Sequence, residues 1–161
     1  MLKDYSGIIE GAARVNGLDP KILTALIQQE SGGNPYAVRY EPQFYKTYLA
    51  RLSTLPFYNP SSISFETERI LRAHSFGLCQ IMGATARAEG FVKESLAELF
   101  DPYVNINLAA RYLAKLERKF KSIERALFAY NAGPGTPYPG KKQGDYPSLV
   151  LNRVNSVRAL V

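Results

Sequence analysis

The 161-residue chain has no tryptophan, one histidine (His74) and one cysteine (Cys79). One cysteine excludes an intramolecular disulfide, and one histidine beside it excludes a zinc site of clustered Cys and His ligands. No metal and no cofactor is therefore expected. His74 and Cys79 stand close in sequence, but a lone pair of this kind reads as structural rather than as a nucleophile and its base. The glycines near Gly133 lack the Gly-Lys-Ser/Thr that a phosphate-binding loop requires. No apolar run approaches the roughly 20 residues of a membrane span, so no stable membrane insertion is expected. The first residues, MLKDYSGIIEGAARVNG, do not read as a secretory signal: their apolar positions are helically spaced, and Asp4 and Glu10 interrupt them. No two-residue alternation persists long enough for an extended strand, and no internal repeat is present.

What the chain does contain is an ordinary globular composition. Hydrophobic residues make up 46% and charged residues 21%. That is one domain's worth of chain, residues 1–161, with enough apolar surface for a core. Twenty Lys and Arg against fourteen Asp and Glu give a net charge of +6, which suits a polyanionic partner. The basic residues are scattered and no recognition motif accompanies them, so nucleic acid is not the expected partner. The chain is expected to act as a monomer.

The apolar periodicity predicts an all-α protein. Tyr5, Ile8, Ile9, Ala12 and Ala13 share one helix face, and Gly17 ends it. Asp19-Pro20 forms a cap with a first-turn proline for a helix through Ile22, Leu23, Leu26 and Ile27 to Glu30. Ser31-Gly32-Gly33-Asn34-Pro35 stops that helix. Helices are further predicted over Pro42–Leu52, Ser64–Ala73, Ala84–Glu89 and Glu94–Leu99, with a loop over Leu55–Ser62. Asp101-Pro102 repeats the cap signal ahead of a long amphipathic helix carrying Ile106, Ala109, Ala110, Leu113 and Leu116. Ser122 opens a helix ending at Asn131-Ala132-Gly133. Thr136–Pro147 reads as loop and Leu149–Val161 as a last helix.

Carboxylate chemistry remains. Glu30 closes an apolar helix at the negative end of its dipole, and both the dipole and apolar neighbours disfavour its charge. A carboxylic acid kept protonated near neutral pH is what glycosidic cleavage needs to protonate a leaving oxygen. Gln80 is an amide inside the apolar run Gly77-Leu78-Cys79-Gln80-Ile81-Met82, where it needs a partner: a backbone carbonyl, or a sugar acetamido or hydroxyl group. Tyr130 and Asn131, at a helix end beside glycines, are placed to present a hydroxyl and an amide to a cleft.

Taken together and in order, these segments resemble the catalytic domain of lytic transglycosylases of the soluble-lytic-transglycosylase (SLT) type, which has a lysozyme-like fold. The glutamate-serine motif stands as Glu30-Ser31 with Asn34-Pro35 behind it. The Gly-Leu-Met-Gln-(Ile/Leu)-Met motif stands as Gly77–Met82, with Thr85-Ala86 following. Asp101-Pro102 with Asn105-Ile106 matches the stretch before the family's long helix. Ala-Tyr-Asn-Ala-Gly is complete at Ala129–Gly133.

The resemblance implies Glu30 as the single catalytic acid/base. It implies Gln80, Met82, Asn131 and Ser31 on the sugar-binding side, and Tyr130 bonding or positioning the carboxylate. The implied substrate is the glycan strand of peptidoglycan, cut between N-acetylmuramic acid and N-acetylglucosamine with formation of a 1,6-anhydro ring. The implied place of action is the periplasmic or extracellular wall. Delivery would then fall to phage lysis or infection, or the chain belongs to a larger or processed protein.

Three positions depart from the pattern. Arg39 stands where a serine is usual and is followed by a helical-loop insertion over about 40–75, which resembles phage-type and muramidase-like relatives. Cys79 replaces methionine. No acid is present in Leu149–Leu151, and Asp145 is the nearest one. Glu41 in the insertion keeps a hydrolytic alternative open, in which a second carboxylate holds a water. A non-catalytic wall-binding module is the other alternative.

Overall fold

The computed structural model describes residues 2–58, 63–140, 142 and 145–157, apart from the side chains of residues 2 and 3. In chain order the described helices are α1 (Ser6–Asn16), α2 (Pro20–Glu30), α3 (Pro42–Phe44), α4 (Phe65–Arg72), α5 (Gly83–Ala88), α6 (Pro102–Phe120), α7 (Ile123–Ala132) and α8 (Tyr146–Ser156). Three short strands accompany them: β1 (Val38–Tyr40), β2 (His74–Phe76) and β3 (Ile81–Met82). The chain falls into two compact units, residues 1–33 with 106–161, and residues 34–105.

Every described secondary-structure element of the first unit is a helix. Asp19 caps α2 by accepting the Lys21 N–H at 2.8 Å, with Pro20 in the first turn. Leu23, Leu26 and Ile27 are fully buried along α2, each worth about 1.5–3 kcal/mol of burial. From Ile106 onward α6 is buried on most of its circumference, at Leu108, Ala109, Ala110, Tyr112, Leu113, Ala114 and Leu116. Helix α8 packs on α2 and on α7.

The final helix begins earlier than the periodicity placed it. Asp145 is its cap, accepting the Ser148 N–H at 3.0 Å, and Pro147 lies in its first turn. Tyr146 therefore belongs to the helix rather than to a loop. The end of that predicted helix, residues 158–161, lies outside the described residues, as do residues 59–62 of the predicted loop.

The second unit carries what a helical reading lacks, a three-stranded antiparallel sheet in the order β1-β2-β3. Val38 pairs with Phe76, Arg39 with Ser75 and Tyr40 with His74; Ser75 pairs with Met82 and Phe76 with Ile81. The β2–β3 turn is clamped by Asn105, which is fully buried. Its Nδ2 donates to Phe76 O and to Leu99 O, both at 2.8 Å, and its Oδ1 accepts the Cys79 N–H at 2.8 Å. Gly77 has φ +71° in that turn, and a Cβ there would lie 2.6 Å from Asn105 Nδ2.

In the same unit α4 appears where the sequence placed a capped helix, with Ser64 accepting the Thr67 N–H. The Pro42–Leu52 prediction shortens to α3 and a π-turn over Tyr45–Leu49. Glu68, fully buried on α4, binds two guanidinium groups: Arg72 Nε at 2.9 Å, and Arg87 Nε and Nη2 at 2.8 and 3.2 Å. Arg87 also donates to Phe91 O and Lys93 O, and Arg72 to Pro56 O, so the charge cluster is tied to the backbone around it. Burial holds the Arg72 guanidinium below the usual arginine range, with Glu68 acting in the opposite direction.

Candidate active site

In the first unit, Glu30 is the last residue of α2 and is half-buried. The helix ends there because Ser31 closes it: its N–H reaches Ile27 O at 3.1 Å and its hydroxyl donates to the same carbonyl. The Ser31 hydroxyl also accepts the Gly33 N–H at 3.2 Å. Gly32 and Gly33 follow at φ +62° and +87°, a backbone path that a β-carbon resists. Ser31 thus shapes the turn that presents the carboxylate.

A phenol sits on that carboxylate. The hydroxyl of Tyr146, in the first turn of α8, donates to Glu30 Oε1. The neighbouring residue Gln29 accepts from Arg153 Nε of α8 at 2.9 Å, so two side chains of α8 fasten the last turn of α2. Sequence reasoning missed Tyr146. The cap signal that would have found it was present, since Asp145-Tyr146-Pro147 differs from Asp19-Pro20 only by one intervening residue.

Tyr130, half-buried in α7, packs its ring against Tyr112 of α6 with centroids 5.6 Å apart. Asn131 follows it and is exposed at the helix end, where Gly133 turns the chain at φ +92°.

In the second unit, Gln80 lies in the β2–β3 turn, at φ +48°, rather than on a helix. Its Nε2 donates to Ala37 O and Gly77 O, both at 3.0 Å, which satisfies the amide's donor end with backbone. No described residue donates to its Oε1. Met82, half-buried in β3, lies two residues on. Cys79 is fully buried, as an apolar replacement for methionine should be. His74 stacks on Tyr40 at 4.9 Å and its Nδ1 lies 2.8 Å from Ile70 O.

Glu41 of this unit bonds Arg39 Nε at 2.5 Å, and its backbone N–H donates to Ala73 O. Around the sheet the rings of Tyr45, Tyr40, His74, Phe76, Phe100 and Tyr36 form a continuous series of contacts. Tyr36 and Tyr40 remain 76% and 45% exposed, so this surface offers aromatic faces to solvent. Among the described residues no group of His, Cys, Asp and Glu is arranged to hold a metal ion.

Comparisons with known proteins show what the chain is similar to. The chain is 26% identical over 76% of its length to membrane-bound lytic murein transglycosylase E of Buchnera aphidicola subsp. Acyrthosiphon pisum, of which it covers 44%. It is 25% identical over 91% of its length to a transglycosylase of Enterobacteria phage PRD1, covering 42% of that protein. It is 27% identical over 82% to membrane-bound lytic murein transglycosylase C of Shigella sonnei, covering 32%. The chain thus spans less than half the length of these relatives. In fold it resembles an inactive mutant of lytic transglycosylase Slt from Pseudomonas aeruginosa, with a TM-score of 0.59 and 22% identity over 96% of this chain and 25% of that one. The family model described as the transglycosylase SLT domain matches residues 7–146, a range that includes Glu30, Gly77–Met82, Tyr130 and Tyr146, and the chain belongs to that family.

Proposed function

We propose that this chain is a peptidoglycan lytic transglycosylase that cleaves the β-1,4 bond between N-acetylmuramic acid and N-acetylglucosamine, with Glu30 as its sole acid/base. Glu30 protonates the glycosidic oxygen as the bond to the muramoyl carbon breaks. The substrate's own acetamido group stabilises the cationic centre. The Glu30 carboxylate then takes the proton of the muramoyl 6-hydroxyl, whose oxygen closes the 1,6-anhydro ring. The proton count balances with one carboxylate and no water. Most glycoside hydrolases need two.

The observation that carries this reading is the Glu30 carboxylate itself, presented at the end of a buried helix and held by the Tyr146 phenol. Tyr146 is a positioning residue in this scheme: it fixes one carboxylate oxygen. The open Oε1 of Gln80 suits the N–H of an acetamido group, and Tyr36 and Tyr40 suit the apolar faces of sugar rings. In the first unit Asn131, exposed beside Tyr130, offers a polar group to glycan, and in the second, half-buried Met82 offers an apolar one. The net charge of +6 suits the wall's carboxylates.

Glu41 is engaged by the Arg39 guanidinium, and we therefore favour the single-carboxylate route over a two-carboxylate muramidase. The place of action is the wall, reached by phage lysis or infection or as part of a larger protein. The phage relative supports the former, and no described helix is long and apolar enough to cross a membrane.

Glu30→Gln keeps an acceptor for the Tyr146 hydroxyl and removes the proton. It should fold normally and lose more than about two orders of magnitude of wall-clearing activity. Near-normal turnover in that variant would end the assignment.

A further inference from the structure

A concave feature lies wholly within the first unit, on a different side of α7 from Tyr130. It is a cavity of about 300 Å³ between the end of α6, α7 and the segment that follows α7. Phe128 and Tyr130 are two residues apart and so stand about 200° apart around the helix. The cavity therefore opens on a face that the scheme above does not use.

Its walls are aromatic and its rim is cationic. Phe128 and Tyr138 meet edge to face at 5.2 Å, and Phe120 lines the same space. The Arg125 guanidinium lies over the Tyr138 ring, 5.8 Å from its centroid, and makes no salt bridge with any described residue. Lys119 Nζ lies 5.1 Å from the centre of the Phe120 ring. From residue 115 to 125 the chain has five cations (Lys115, Arg118, Lys119, Lys121, Arg125) against two carboxylates (Glu117, Glu124). The Tyr138 hydroxyl is buried and has no hydrogen-bond partner among the described residues. Buried hydroxyls ordinarily have one.

These features specify a ligand by chemistry. An unpaired guanidinium calls for a carboxylate. An orphaned phenol donor calls for a carbonyl or carboxylate oxygen. Rings in contact leave room for small apolar groups rather than for another charge. A short acidic peptide with methyl side chains answers all three. On the reading that the substrate is peptidoglycan, the wall's stem peptides have this composition.

We propose that the cavity is a stem-peptide subsite. Arg125 binds a stem carboxylate, the Phe120, Phe128 and Tyr138 rings receive alanyl methyl groups, and the Tyr138 hydroxyl donates to a peptide oxygen. The subsite recognises the peptide that decorates the glycan, whereas Glu30 acts on the glycan itself.

The test uses the full chain carrying Glu30→Gln, so that binding is read without cleavage. The probe is the free stem tetrapeptide L-Ala-γ-D-Glu-diaminopimelate-D-Ala, followed by two-dimensional amide NMR. Saturable shifts centred on Phe120, Arg125, Phe128 and Tyr138 are expected. Adding Arg125→Gln, an exposed position, should weaken the peptide's affinity about tenfold or more. Tyr138→Phe should weaken it several-fold and, by removing the orphaned hydroxyl, leave the free protein at least as stable. A stem-free N-acetylglucosamine oligomer should bind the Arg125→Gln protein as well as its parent.

Absence of saturation in the millimolar range, shifts centred elsewhere, or an affinity indifferent to Arg125→Gln would overturn the proposal. Equal loss of both probes would do so too. Failure of the lytic reading would be read separately, from the products made by the unsubstituted protein on whole wall.

Discussion

At the scale of single residues the account rests on Glu30 and the phenol that holds it. Tyr146→Phe removes the hydrogen bond to Glu30 and keeps the ring. With one carboxylate oxygen released, kcat should fall about ten- to a hundredfold while KM for wall fragments changes little. Steady-state kinetics checks this, and a change confined to KM would place Tyr146 in binding instead. The place of Glu30 at the end of α2 was legible in the sequence for physical reasons. An Asp-Pro cap, an apolar repeat and a double glycine fix where α2 starts, which way it faces and where it stops. Tyr146 was not legible because its bond to Glu30 spans 116 positions. Gln80 was legible as a buried amide but not as a turn residue at φ +48°, since nothing local marks a non-glycine residue for that conformation.

At the scale of elements, the β2–β3 turn holds Gln80 through Asn105 rather than through strand pairing. Strands of two and three residues have too little periodicity to be seen in a sequence, and the buried clamp that replaces it comes from α6. Asn105→Ala would leave the Cys79 N–H without its acceptor and two carbonyls without their donor. A loss of about 2–4 kcal/mol is expected in urea unfolding. Gly77→Ala places a β-carbon against Asn105 and forces a left-handed conformation on alanine. It should cost about 2–4 kcal/mol and lower glycan affinity with it. A neutral result for both would mean that the clamp does not fix the turn. Helix α8 teaches the complementary lesson. Its cap and proline were in plain view, but the surrounding Gly, Pro and Lys suggested loop, so its start was placed three residues late.

At the scale of the whole chain, the helical class follows from periodicity, and the two compact units do not. The second unit is held by contacts that no local sequence pattern announces, above all that of Glu68 with Arg87, 19 positions away. Glu68→Ala leaves two buried guanidinium groups without a counter-charge. It should cost about 3–5 kcal/mol, seen as a lower denaturation midpoint. A loss under 1 kcal/mol would show the cluster to be water-accessible in solution.

The central claim is that a single carboxylate breaks the glycan bond without water, and mass spectrometry of digested peptidoglycan tests it most directly. Muropeptides released by the protein should end in 1,6-anhydro-muramic acid, one water lighter than hydrolysed ends. Reducing muramic acid ends alone would contradict the account and restore the two-carboxylate reading with Glu41.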